Sequence, residues 1–434
     1  MTEFLDIPKR KTLEEMGLDQ FGQSPLKFTG AESNKRSRTL PKHGLPANFV
    51  IDGNEGWLQK RSSNASLNVG QDIQFAIEEV NRNGGGSVFL NPGTYKPTDH
   101  IYVYSGMNLE GSNPSNTIID FGGGPYSIKV VGTDAYTTGT ISVAEGATAV
   151  TGSGTVWTTD MIGQSICLEG LFYTIADVIS TTSLTIESGF ISTSGDGDLV
   201  GENYAIATTI NTARISGITI QNSTAPAIEL KYTDVFLCNE VFIFECQYGI
   251  LAEFSSTITK SNGVTALCSY GYYLSNCDGF SILSDYSSDM TVGDGMRCTN
   301  SGDATIFNSS FSSCAGNGLT FDGGYNTGIL SFACIGNAGK GIDMLANTND
   351  MQIFGAVISN NGSDGVKLTA TSDTNQITGM TIKNNGGYGI NIAASTCDNN
   401  LVANNIFANN STAAGTDSGT GTLIRSNVGL ADAP

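Results

Sequence analysis

Histidine is nearly absent from this chain: His43 and His100 are the only two in 434 residues. That leaves no histidine cluster to bind a metal and speaks against a Ser–His–Asp triad. Charged residues make up only 14% of the sequence, which argues against an ordinary helical enzyme. The nine cysteines include no CxxC pair, so no zinc site is expected. Buried thiols in a reducing compartment are the default reading. No apolar run reaches the roughly 18 residues of a membrane-spanning helix. The opening stretch "MTEFLDIPKRKTLEEMG" lacks the apolar segment of a secretory signal, so synthesis in a cytoplasm is expected.

Glycine is what the chain has in excess, with 54 residues, about twice an average share. That suits a turn-rich β-protein whose glycines are structural. Net charge is −20 and unevenly spread. Residues 1–61 hold ten Lys/Arg against eight Asp/Glu, and the remainder eleven against thirty-three. An acidic body of that size repels nucleic acid and anionic membranes, so neither partner is expected. Its plainer effect is solubility.

Four segments follow from composition and pattern. Residues 1–60 are polar and basic with one short helical candidate, Leu13 to Met16. They read either as a leader without fixed structure or as an arm that orders on a partner. Residues 61–134 carry the stripe Ile73, Ala76, Ile77 and Val80, an amphipathic helix ended by "GGG" and followed by the strand "SVFL". Such a helix would cap the open end of a stacked sheet. Residues 135–207 break the rhythm with hairpin patterns such as "SICLEGLFYTIADVI", an inserted small β-barrel or sandwich. Residues 208–434 then resume it.

The repeat can be counted there. A Gly, once an Ala, stands at 227, 249, 271, 295, 318, 341, 365 and 389, at steps of 22 to 24. The next residue is always apolar: Ile228, Ile250, Tyr272, Met296, Leu319, Ile342, Val366, Ile390. So is the residue two further on: Leu230, Ala252, Leu274, Cys298, Phe321, Met344, Leu368, Ile392. Period-two alternation marks strands with one buried face, and repeats of this length mark a solenoid. The expected fold is all-β: a right-handed parallel β-helix with an N-terminal capping helix and a small inserted β-domain. Asn337, Asn361 and Asn385 recur four places before the Gly and should stack as an amide ladder.

The stretches "GQDIQFAIEEV", "GGGSVFLNPGTY" and "NLEGSNPSNTIIDF" in 68–121 resemble the N-terminal part of the pectate-lyase superfamily of β-helix proteins. The coils 213–429 extend the likeness. The resemblance is specific for fold and weak for activity, because members include lyases, hydrolases, epimerases and bacteriophage tailspikes. The basic arm, the inserted block and the regular coils tilt it toward tailspikes. That implies a homotrimer in a phage tail, with residues 1–60 attaching to tail or adaptor proteins and the solenoid binding a host surface polysaccharide. The apolar stretch "DVFLCNEVFIFEC", with Phe236, Phe242 and Phe244 beyond the core pattern, is a candidate interface.

Register offers a site. Tyr273, Arg297, Asp343 and Lys367 fall two places after the repeat Gly, and Glu253 and Asp322 four places after, on one outward face. Asp322 and Asp343 lie on adjacent coils, a spacing that suits paired carboxylates of glycoside hydrolysis. Arg297 would hold a carboxylated sugar or the acid itself, while Tyr273, Glu253 and Lys367 would contact substrate. Asp285, Asp289 and Asp294 form a looser acidic group, an alternative calcium site whose spacing matches no EF-hand pattern. No cofactor and no metal is expected. The leading expectation is a tailspike-like protein that binds host polysaccharide, with depolymerisation as the further step. The alternatives are a non-enzymatic adhesive tail protein and a cellular polysaccharide lyase or hydrolase.

Overall fold

A computed structural model describes residues 47–51, 69–192 and 197–432. The helical candidate at Leu13 and most of the 1–60 arm lie outside these residues. The strand Ala47–Ile51 pairs in parallel with Gly86–Leu90, so the sheet begins within that segment.

Repeat spacing becomes stacking throughout. The predicted row Ile228, Ile250, Tyr272, Met296, Leu319, Ile342, Val366, Ile390 is one continuous parallel ladder. Every member of it, and of the row from Leu230 to Ile392, is buried. The strands that carry these rows form an eleven-stranded parallel sheet. It is the third of three faces. The other two belong to one 22-stranded sheet, in which Ala213–Ser223 and Phe236–Cys246 each run through both faces. In later coils the same path is split into pairs such as Ile258–Ser261 and Val264–Ala266.

A single left-handed residue makes the corner between the first two faces: Gly217, Glu240, Asn262, Ser284, Asn308, Ser331, Gly355, Gly379 and Asn404 in successive coils. One such residue flips the parity of the strand. Phe236 and Cys238 point into the core before Glu240, and Val241 and Ile243 after it. Phe236 is therefore a core residue, not part of a surplus apolar surface; Phe242 and Phe244 are half-exposed outside it, and Leu237 is exposed. Simple alternation cannot be carried across this corner.

The repeat glycines are explained by crowding. A Cβ on Gly341 would lie 2.6 Å from the carbonyl oxygen of Gly365 on the next coil, so only glycine lets the coils close up there. The helix Val69–Arg82 lays Ile73, Ala76, Ile77 and Val80 into the same core and packs against Gly86–Leu90 and Ile101–Tyr102. Burial of side chains the size of Ile and Val stabilises by about 1.5–3 kcal/mol each, and of Ala by less, and the cluster they join runs on to Ile424.

Between Thr133 and Thr208 an eight-stranded, antiparallel sheet has its own core around Trp157, Phe190, Leu184 and Tyr204. It meets the solenoid where Cys167, Ala205 and Ala207 pack on Tyr232, beside Phe172 and Phe254. All nine cysteines are free and buried. No described helix is long and apolar enough to cross a membrane.

Candidate functional site

Parallel stacking puts the outward side chains of the third face into rows. Tyr273 pairs with Arg297, Arg297 with Thr320, Thr320 with Asp343 and Asp343 with Lys367 on successive coils. Two residues along the strand, Thr299 pairs with Asp322. Asp343 therefore lies beside Thr320, two positions from Asp322 on the coil below.

The side chains form ion pairs along this strip. An Arg297 guanidinium nitrogen donates to Asp322 Oδ2 at 3.1 Å, and both groups are partly exposed. Lys231 donates to Glu253 Oε2 at 2.8 Å, lower on the same face. Tyr248 and Tyr270 stack with ring centres 5.0 Å apart, and Tyr273 meets Tyr248 edge to face at 6.1 Å. Lys367 is half-buried on the coil after Asp343.

Asp343 differs from the outward position that spacing alone assigns it, because it is only 4% exposed. Lys340, three residues earlier, folds over it and donates to Oδ2 at 2.7 Å. The other oxygen, Oδ1, is buried without a hydrogen-bond partner. A buried acceptor left unpaired is costly, and a hydroxyl or water entering from the strip would satisfy it.

The acidic group at 285–294 is dispersed. Asp285 sits in the solenoid interior, where Lys260 donates to its Oδ1 at 2.7 Å and the Tyr272 hydroxyl to its Oδ2. Asp289 accepts from Ser288 and Asp294 from the backbone of Asn317. Among the described residues no group of three His, Cys, Asp or Glu is arranged for a metal.

Sequence reasoning missed the cavity beside the strip. A space of about 350 Å³ opens between the inserted sheet and the solenoid. Its solenoid wall is the turn after the third face: Phe254, Asn276, Asn300 and Gly323 directly follow Glu253, Ser275, Thr299 and Asp322. The opposite wall includes Glu169, Asp198 and Glu202. Below it, Gly170 presses on Asp278; a Cβ there would lie 2.5 Å from the Asp278 Cβ. The Tyr325 hydroxyl donates to Asp278 Oδ1 at 3.2 Å. Burial pushes the Asp278 carboxyl up to about 7, nearby Asp303 and Glu169 add to the rise, and the Tyr325 hydrogen bond opposes it. The sequence signal was one residue away: the wall follows the row that contains Glu253 and Asp322.

Comparisons with known proteins address the fold. No curated protein sequence matches the chain. The tailspike protein gp49 from Pseudomonas phage LKA1 is similar at 12% identity, over 83% of this chain and 74% of that one, with a TM-score of 0.49. The gp54 tailspike of Acinetobacter baumannii bacteriophage AP22, solved with a capsular saccharide, is similar at 10% identity, over 86% and 75%, with a TM-score of 0.35. The A-module of Azotobacter vinelandii mannuronan C-5 epimerase AlgE4 is similar at 13% identity, over 81% and 76%, with a TM-score of 0.37. The family described as right handed beta helix region matches residues 294–428. That match and the continuous ladders make residues 294–428 a right-handed β-helix region, and the same ladders extend the solenoid toward its N-terminal coils.

Proposed function

We propose that the protein is a tailspike-like virion component whose third face binds a host surface polysaccharide and cleaves it at Asp322 and Asp343. One observation carries this reading: on consecutive coils of a rigid sheet stand stacked tyrosines, the Arg297–Asp322 pair and a buried Asp343 oxygen without a partner. The aromatic faces suit sugar rings. Arg297 orients Asp322, and the unpaired acceptor oxygen of Asp343 suits a sugar hydroxyl or the attacking water. Tyr273, Glu253 and Lys367 contact the bound chain on either side.

The test is incubation with host capsule or lipopolysaccharide, followed by reducing-end and ultraviolet assays. New reducing ends alone indicate hydrolysis. New ends with the absorbance of an unsaturated uronate indicate elimination. Binding with neither indicates an adhesin. Asp322→Asn and Asp343→Asn should each abolish cleavage while leaving binding in place; full activity in both variants removes this acid pair.

The same reading includes assembly as a homotrimer on tail partners. An outward row of Leu283, Phe307, Leu330 and Phe354 on the first face supports it, with Phe307 46% exposed. Apolar rows of this kind favour burial against a second copy. Light scattering of the purified protein tests it, with a monomer mass as the contrary result.

A further inference from the structure

The cavity between the inserted sheet and the solenoid has a chemistry unlike that of the adjoining strip. No lysine, arginine or histidine is among the described residues that line it. Glu169, Asp198 and Glu202 come from separate strand ends of the inserted unit and face the same space. Asn276, Asn300 and Asn347 face them from three coils of the solenoid. Their left-handed backbone, with φ of 53°, 45° and 57°, accounts for asparagine at those corners. It does not account for three carboxylates gathered opposite them.

The groups suit a sugar. Amides both donate to and accept from hydroxyls, carboxylates accept from hydroxyl or ammonium groups, and the rings of Phe254 and Tyr325 supply apolar surface. They do not suit an acidic sugar, because a uronate carboxylate would meet three like charges and no cation. We propose that this cavity is a saccharide subsite for a neutral or amino-bearing sugar and that it selects against uronates. The inference rests on the reading that the protein binds polysaccharide. It places one residue of the repeat unit in the cavity while neighbouring residues run along the third face.

Calorimetry on the full chain tests it with three probes: a glucosamine tetramer, maltotetraose and a galacturonate tetramer. The glucosamine tetramer is expected to bind at least about tenfold more tightly than the galacturonate tetramer, with maltotetraose between them. Val200 is 75% exposed at the cavity wall, so Val200→Trp can fill the space without disturbing a core. That variant should weaken the glucosamine and neutral probes about tenfold or more. Glu202→Lys should narrow the glucosamine preference by a similar factor. Circular dichroism checks that both variants fold, and Tyr273→Ala reports on the strip. Three results overturn the subsite: galacturonate binding as tightly as glucosamine, wild-type protein binding none of the probes, or both cavity variants leaving affinities unchanged. If Tyr273→Ala abolishes binding of host polysaccharide while Val200→Trp has no effect, the subsite fails and the polysaccharide reading stands. If wild-type protein binds no host polysaccharide, both fail.

Discussion

The corner between the second and third faces is filled in two ways. Each coil turns there through one left-handed residue, from Glu245 to Asn409. The residue after it is Cys246, Cys268, Met290 and Cys314 in the earlier coils, and Asn337, Asn361, Asn385 and Asn410 in the later ones. The thiols bond within their own coil: Cys246 Sγ to the Phe244 carbonyl at 3.2 Å, Cys268 to Ala266 and Cys314 to Ser312 at 3.5 Å. The amides bond between coils. Asn361 donates to Asn385 Oδ1 at 2.9 Å and to the Cys334 carbonyl at 3.1 Å, and accepts from the backbone and side chain of Asn337. Later coils are therefore stitched by one repeated device, while earlier coils are filled by soft, adaptable side chains. The earlier coils are also where one-off chemistry occurs: the Lys260–Asp285 pair, Asp278, the cavity and the Arg297–Asp322 strip.

The largest expected effect breaks the one-off half. Lys260 and Asp285 are almost fully buried and bonded at 2.7 Å, with the Val241 carbonyl as a further acceptor for the ammonium at 3.0 Å. Lys260→Met strands a buried carboxylate and should cost about 3–5 kcal/mol in a urea titration. Lys260→Met with Asp285→Leu should recover most of that, because Tyr272 keeps its hydrogen bond to Thr265 at 2.7 Å. A double variant as unstable as the single would show that the pair is needed for more than mutual neutralisation.

Asp278 gives the next effect, as a pH dependence. Its folded carboxyl stands at about 7 against an ordinary aspartate value of 3.8. Between those values the folded chain keeps a proton that the unfolded chain has lost. Its contribution is therefore full below the unfolded value and is lost as pH rises through the folded one. The loss is on the order of 4 kcal/mol across the window. Asp278→Asn should flatten that slope and raise stability at pH of about 8. An unchanged slope would move its origin to Asp303 or another group.

Swapping the two corner types tests the comparison directly. Asn361→Cys removes four side-chain hydrogen bonds from a buried position and should cost about 2–3 kcal/mol. Asn410→Cys, at the half-exposed upper end of the ladder, should cost about 1 kcal/mol. Equal losses would mean that the ladder does not act cooperatively.

How far the sequence could be read follows the same division. The third-face rows and the Asn337–Asn361–Asn385 ladder were legible because one backbone geometry recurs at near-constant spacing. The first two faces were less legible, since the one-residue corner at Glu240 inverts which side of the strand is buried, and Phe236 was misplaced for that reason. Asp343 had the right register, but its cover by Lys340 depends on a side-chain conformation that spacing does not encode. The cavity was illegible because its walls are joined only by folding, with Glu169 and Asn300 on units far apart in the chain. Lys260, a single departure from the row Cys238, Lys260, Ile282, and Asp285, stacked between Gly263 and Ser309, gave no repeated pattern that would join them.

The smallest expected effect is the most discriminating. Cys314 is next to the ladder: its backbone N–H already donates to Asn337 Oδ1 at 3.0 Å. Cys314→Asn would place an amide within reach of that same oxygen, as each lower asparagine does in the later coils, and should gain about 1 kcal/mol. Cys268→Asn has Met290 on the coil above and Cys246 below, neither of which can complete an amide chain. The larger side chain and its unpaired groups should then cost about 1 kcal/mol or more. If both substitutions cost alike, the thiols are retained because the earlier coils are too closely packed for an amide. If only Cys268→Asn costs, the boundary between the two halves is set by the lack of a bonded neighbour, and the ladder could be extended downward one coil at a time.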